Sequence, residues 1–311
     1  MTGAETAGPD RVLDAAIELA SRPGPQAEVV TVFDEPTFTA SHIVIDPPSG
    51  ACAVIDPVLG FDLFSGRTDT HSADRILAEL RSRDLKLTWI LETHVHADHL
   101  SAAGYLQGVC GGTIAIGRRV DTVQETFAPL FGYGPSFPRN GSQFDVLLED
   151  GEEFDIGRLR ALALHVPGHT PADLAYLVGS QVFVGDTLFM PDCGTARADF
   201  PGGDARRLYR SIRRLLALPP AARLHLCHDY KCALREVFEW TTTVADQRAG
   251  NIHIHDGVDE EAFVTLRTER DRTLDVPRLI LPSLQVNIRG GRLPPAGEDG
   301  RYRLVLPLDA L

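Results

Sequence analysis

The chain has 311 residues, 43% of them hydrophobic, enough for one large α/β domain or two small ones around a substantial core. Its 43 acidic against 30 basic side chains give a formal charge of −13 that is spread along the sequence, which argues against nucleic acid or an anionic membrane as the main partner. The apolar runs are strand-length, and the N-terminus shows neither a basic region nor an apolar leader, so a cytoplasmic protein without a membrane span is expected.

Residues 11–21 read as a short helix ended by Pro23-Gly24-Pro25, so 1–26 forms an N-terminal appendage. Three apolar segments, 29–33, 40–46 and 52–55, are separated by Pro and Gly and have the character of antiparallel strands opening a sheet. Residues 72–83 place Ile76, Leu77 and Leu80 on one helical face, capped by Ser72 or Asp74. The strand 85–91 follows.

It runs into Thr93-His94-Val95-His96-Ala97-Asp98-His99, three imidazoles and a carboxylate within six residues. These are ligand types for zinc, iron and related divalent ions, and a packed core would not gather them without a compensating charge. A helix over 100–107 and a strand over 113–116 put this motif on a strand-to-helix loop. Residues 117–142 are expected to be irregular, their Phe, Pro and Gly favouring a wall or lid near a site.

Three further strands run straight into residues able to ligate metal. They are 159–166 before Gly168-His169-Thr170, 181–184 before Gly185-Asp186-Thr187, and 223–227 before His228-Asp229. Strand ends on one sheet edge converge in space, so these groups can meet the first motif. The element order implies two packed sheets with helices outside. The segment 27–250 is read as the catalytic domain, and 251–311 as a C-terminal extension packed on it. Helices are expected over 233–245 and 260–270, a Pro-rich extended region over 276–295, and a strand over 302–307. The five cysteines, Cys52, Cys110, Cys193, Cys227 and Cys232, are odd in number and form no C-x-x-C pair, so no disulfide framework is expected.

Taken together, His94, His96, Asp98, His99, His169, Asp186 and His228 resemble the metallo-β-lactamase superfamily pattern of H-x-H-x-D-H followed by His, Asp and His. The resemblance covers roughly residues 28–230 and implies an α/β (α+β) fold, an αββα sandwich of two mixed sheets with the metal site at one edge. All seven ligands could hold two zinc ions bridged by Asp186 and activate water for hydrolysis. Alternatively, a single iron could be held by two histidines and a carboxylate, leaving positions open for oxygen and substrate.

The words around the ligands, Gly185-Asp186-Thr187-Leu188-Phe189, Asp192-Cys193-Gly194 through Asp199-Phe200, and His228-Asp229-Tyr230, resemble the persulfide dioxygenases, in particular the bacterial β-lactamase-like hydrolase branch, and their relatives the glyoxalase II thioesterases. The tail from Ile280-Leu281-Pro282 to Asn287-Ile288-Arg289 resembles the end of the dioxygenases, whereas glyoxalase II appends a helical domain. The resemblance implies one Fe(II) on His94, His169 and Asp186. His96, Asp98, His99 and His228 are then outer partners, with Asp98 and His228 shuttling protons. It implies oxidation of a low-molecular-weight thiol persulfide by O2; the alternative is a thioester hydrolase with two Zn(II), and in either case the chain could form a homodimer. A non-catalytic metal module is the remaining possibility.

Arg197 offers a planar fork for the substrate's charge, its competing role being an ion pair with Asp199 or Asp192. Two residues more than in many dioxygenases separate Cys193-Gly194 from Asp199-Phe200, which shifts Arg197. Tyr230 could donate a hydrogen bond near the metal or be satisfied by backbone. Cys193 and Cys227 flank the site and could exchange sulfur, inert burial being the stronger reading. His225, His253 and His255 fall outside the pattern and are read as structural or surface.

Overall fold

A computed structural model describes residues 10–232 and 235–309. Two six-stranded sheets form its centre. The first runs in the order Glu28–Asp34, Thr39–Ile45, Ala51–Ile55, Lys86–Leu91, Thr113–Gly117 and Val146–Leu148, antiparallel over the first three strands and parallel thereafter. The second runs Glu153–Ile156, Leu159–His165, Leu174–Val178, Gln181–Phe183, Arg223–His225 and Thr241–Thr243, antiparallel except where Gln181–Phe183 meets Arg223–His225. A small third sheet joins Arg67–Asp69, Val58–Asp62 and Leu100–Ser101.

Thr39–Ile45 and Ala51–Ile55 are buried at every position. A strand covered on both faces needs no polar alternation, which is why these segments read as continuous apolar runs. Val44, Ala53, Ile55, Leu91 and Ala115 point between the sheets and meet Ala161, Ala163, Leu174, Tyr176 and Phe183 from the other side. Their neighbours Ile43, Ile45, Val54 and Ile90 point outward, onto helices α2 (His71–Ser82), α3 (Ala103–Cys110), α4 (Val120–Phe127) and α8 (Ile280–Asn287). On the opposite face Leu162, Leu164, Leu177 and Leu224 pack beneath α1 (Arg11–Ser21), α5 (Ala205–Leu216), α6 (Val244–Gly250) and α7 (Glu260–Asp271). The four layers are helices, sheet, sheet, helices, the mixed αββα architecture expected from the element order.

Several local expectations change. Ala233 and Leu234 of the expected 233–245 helix lie outside the described residues, residues 235–240 have no regular structure, and Thr241–Thr243 is a strand. Three consecutive β-branched residues favour pairing with Arg223–His225, and Thr243 then caps α6 by accepting from Asp246 N at 3.1 Å. The 276–295 stretch is not extended: it contains α8, whose Pro282 sits in the first turn, where a backbone N–H has no helical partner anyway. Residues 302–307 form no strand; the Gln285 side chain takes up Val305 N and O instead. The 117–142 stretch opens with α4, and the helix expected from residue 100 begins at Ala103 after the short strand Leu100–Ser101. Helix α5 and the strands Val58–Asp62, Arg67–Asp69, Val146–Leu148, Glu153–Ile156 and Leu174–Val178 add to the elements expected from the sequence. Among the described residues no helix is long and apolar enough to cross a membrane.

Candidate metal centre

The seven predicted donors stand together at one edge of the sandwich, each on the loop that leaves a strand. Tight backbone packing sets two of these loops. Gly185 has φ +53°, and a Cβ there would lie 2.7 Å from Thr93 Oγ1; Gly168 lies against α5, where a Cβ would meet Leu208 backbone at 2.3 Å. Only glycine lets these loops deliver Asp186 and His169 to the edge.

The donors divide into two groups around Asp186. His94, His169 and Asp186 have ligand atoms within 4.8 Å of one another, as do His96, Asp98, His99 and His228. Asp186 Oδ2 faces His94 Nε2 at 3.8 Å and His169 Nε2 at 3.6 Å, while its Oδ1 faces His228 Nε2 at 3.3 Å. His228 Nε2 also lies 3.1 Å from Asp98 Oδ2.

The outer nitrogens explain the orientation. Thr93 donates its single hydroxyl proton to Asp56 at 2.8 Å, so at 3.0 Å from His94 Nδ1 it accepts, which leaves the His94 Nε2 lone pair facing the cluster. His169 Nδ1 donates to Arg197 O at 2.8 Å and His228 Nδ1 to Phe38 O at 3.2 Å. His96 is reversed: its Nε2 stands 2.9 Å from Asp56 Oδ1 and 3.5 Å from Glu92 Oε2, turning Nδ1 inward. His94 Nε2, His96 Nδ1, His99 Nε2, His228 Nε2, Asp98 Oδ2 and Asp186 Oδ1 are buried without a hydrogen-bond partner among the described residues. Six orphaned donors converging on one space fit a divalent cation, because a protein does not leave such groups unpaired without one.

Electrostatics run along the cluster. Burial, reinforced by repulsion from His96, His169, His228 and His99, holds His94 well below the usual imidazole range and therefore neutral. Burial also opposes the charge on His96, but Asp56 and Glu92 outweigh it and hold the ring well above that range. His228 is raised in the same way by Asp186 and Asp98 against its burial. Asp98 remains a carboxylate because His228 and His99 overcome its desolvation.

A cavity of about 340 Å³ leads to the cluster, lined by Asp98, His169, Asp186, Phe189, Arg197, Phe200, Tyr230 and Arg270 among others. Arg197 is bound by Asp199 through Nε at 2.6 Å and Nη2 at 2.8 Å, and donates to Asp275 O at 2.6 Å, so the expected competitor for its guanidinium is present. Arg270 makes no ion pair among the described residues. The Tyr230 ring lies parallel to His228, centroids 5.7 Å apart, and its hydroxyl makes no hydrogen bond to a described residue. His225 is buried and stacks on Phe183, His253 is buried against Thr195, and His255 is exposed.

One expectation is overturned. Cys193 and Cys232, 39 residues apart, form a disulfide, whereas Cys227 is a buried free thiol. Spacing along the chain does not reveal this pair, because the two loops meet only at the sheet edge. Asp56 and Glu92 also escape sequence reasoning, although Asp56 ends a strand just as the other donors do. Two further supports come from the C-terminal segment. Asn287 Nδ2 donates to His96 O and His99 O, both at 2.8 Å, and its Oδ1 accepts from Ser101 N. Arg267, fully buried, pairs with Asp271 at 2.7 Å and donates to Thr195 O at 3.0 Å; Asp271 accepts from Ala198 N. Together they grip the loop whose Arg197 carbonyl orients His169.

Residues 34–228 match the family described as the metallo-beta-lactamase superfamily. A probable metallo-hydrolase of Burkholderia pseudomallei is 54% identical over 289 residues, covering 90% of this chain and 98% of that one. The mitochondrial persulfide dioxygenase ETHE1 of Homo sapiens is 28% identical over 218 residues, 68% of this chain and 73% of its own. The crystal structure of ETHE1 from Myxococcus xanthus superposes with TM-score 0.68 at 28% identity, over 85% of this chain and 100% of that one. With the predicted ligand order standing at one edge of an αββα sandwich, the chain belongs to the metallo-β-lactamase superfamily.

Proposed function

We propose that the protein is a non-heme iron(II) dioxygenase that oxidises a low-molecular-weight thiol persulfide, such as glutathione persulfide, to sulfite and the thiol: one persulfide RSSH, one dioxygen and one water give RSH, sulfite and two protons. The observation that carries this reading is the grouping of His94, His169 and Asp186, two imidazoles and one carboxylate, with His169 and Asp186 on the cavity wall. Iron held by such a set keeps positions free for oxygen and substrate. The likeness to the human persulfide dioxygenase and the Myxococcus structure supports it.

In this reading the chain's own groups bind and position. Arg270, without a carboxylate partner among the described residues, receives the anionic end of the thiol; Arg197, already clamped by Asp199, shapes the wall beside Phe200. Asp98 and His228, 3.1 Å apart beside Asp186, hold and pass the proton that the leaving thiolate requires. Tyr230 and Phe189 close over His228 and limit water.

A dinuclear zinc thioester hydrolase is the second reading, favoured by the His96, Asp98, His99 and His228 group and by the Burkholderia relative's name. Metal analysis of protein purified without oxygen, paired with oxygen uptake on glutathione persulfide, separates the two. One iron per chain with uptake is expected; two zincs without uptake would overturn the dioxygenase.

A further inference from the structure

The cavity has a second reactive feature on its wall. Cys193 and Cys232 both line it, together with His169, Asp186 and Tyr230. Cys193 lies in the turn after Met190, whose carbonyl accepts from Cys193 N at 2.8 Å; Cys232 follows Tyr230 by two residues and is partly exposed. Arg235 reaches over the pair, its Nη2 lying 3.7 Å from Cys193 Sγ, while Asp192 and Asp229 share its charge.

The other cysteines are placed differently. Cys52 and Cys227 are buried thiols, and neither lines the cavity. Cys110 is exposed at the end of α3 and does not line the cavity. A neighbouring guanidinium favours the thiolate and apolar burial suppresses it, so reactivity toward a molecule in the cavity concentrates at Cys193 and Cys232.

We propose that Cys193 and Cys232 are a redox couple that exchanges sulfur with the persulfide and thiol in the cavity, a site separate from the metal chemistry. The proposal rests on the reading of the substrate as a thiol persulfide. In the dithiol form one cysteine thiolate attacks the outer sulfur of RSSH, the S–S bond breaks, and RSH leaves with the proton, giving a cysteine persulfide. The second thiolate attacks the cysteine sulfur of that persulfide, closing the disulfide and expelling hydrosulfide. In sum, RSSH and two cysteine thiols give RSH, hydrogen sulfide and the disulfide; the sulfane sulfur is reduced and the two cysteines are oxidised. Two RSH molecules restore the dithiol and leave as RSSR. The route consumes no oxygen, and its reductant is the thiol that dioxygenation itself releases.

The test uses the full metal-loaded chain, reduced, freed of reductant and mixed with glutathione persulfide under strict anaerobiosis. A burst of sulfide equal to the chain concentration is expected, while titratable thiols fall from all five cysteines to Cys52, Cys110 and Cys227. The Cys232→Ser variant should instead stop at a persulfide on Cys193, one sulfur heavier by intact mass. An unchanged burst in the Cys193→Ser/Cys232→Ser double variant, or five thiols surviving in the parent chain, overturns the couple. Without oxygen the dioxygenase is silent. A burst from a two-zinc protein would therefore refute only the dioxygenase, and iron-dependent oxygen uptake without a burst would refute only the couple.

Discussion

The two ends of the metal cluster are built differently. At one end His169 and Asp186 keep 5% and 8% exposure and share the cavity wall with Asp98. At the other, His96, His99 and His228 are wholly buried and lean on Asp56, Glu92 and Thr39. The open end can receive ligands; the closed end consists of charges compensated by other buried charges, the only way imidazolium and carboxylate survive away from water. On the proposed dioxygenase reading, oxygen and substrate meet the metal at the Asp186 Oδ2 side, and His96 and His99 serve as its support.

The strongest way to break that contrast is to remove one histidine from each end. His169→Ala should abolish turnover and bound metal together, whereas His99→Ala should retain about one metal per chain with slowed turnover. Equal metal loss in both, read by elemental analysis, would replace the contrast with two equivalent sites. Asp56→Asn tests the closed end as a charge-compensated unit: stripping His96 of its counter-charge should cost the metal-free protein about 3–5 kcal/mol in denaturant unfolding. A loss within error would show that His96 is neutral there.

Smaller effects probe the orienting groups. Thr93→Val frees His94 Nδ1 and should weaken metal about 10–100-fold in a chelator competition. Asn287→Ala, which removes contacts to backbone groups of His96, His99 and Ser101 and to no imidazole ring, should sit near the lower end of that range, about tenfold. A stronger effect from Asn287 than from Thr93 would shift the support from side chains to the C-terminal clamp.

A further effect lies outside the cluster. His42, buried between Thr31 Oγ1 and Leu226 O, is held by burial at about 4, below its unfolded value of 6.5. Between these values the unfolded chain binds the proton and the folded one does not, so the stability is complete above pH 6.5 and declines as pH falls toward 4. At pH 5 the loss is about 2 kcal/mol. Urea unfolding at pH 7.5 and 5 should register it, and His42→Leu should flatten the slope whatever its absolute stability. An unaltered slope would assign acid sensitivity to the cluster instead.

The open end and the closed end are equally legible as a list of donors, because each ligand follows a short apolar strand, and a strand end is written in a few adjacent residues. The difference between them is not legible. It depends on Asp56, Glu92 and Thr39, which have no signature beyond being polar residues in or beside a strand. Arg197 is legible as a cation within reach of Asp199, but not as one that also donates to Asp275 O from 78 positions away. Helix α8 escapes because its two flanking segments and Pro282 read as extended until the helix is seen docked on Leu100–Ser101.

The order of apolar strands and helices thus implied by itself two packed sheets with helices outside, and the resemblance carried by seven ligand residues in order implied the αββα sandwich with a metal edge, since both rest on local properties of short segments. Only the tertiary structure decided that Asp186 divides the donors, that Asn287 and Arg267 reach back from the C-terminal segment to hold the ligand loops, and that Cys232 finds Cys193. These pairings join residues up to 191 positions apart. Their partners are chosen by how the two sheets and their covering helices pack, a long-range choice that no local pattern encodes.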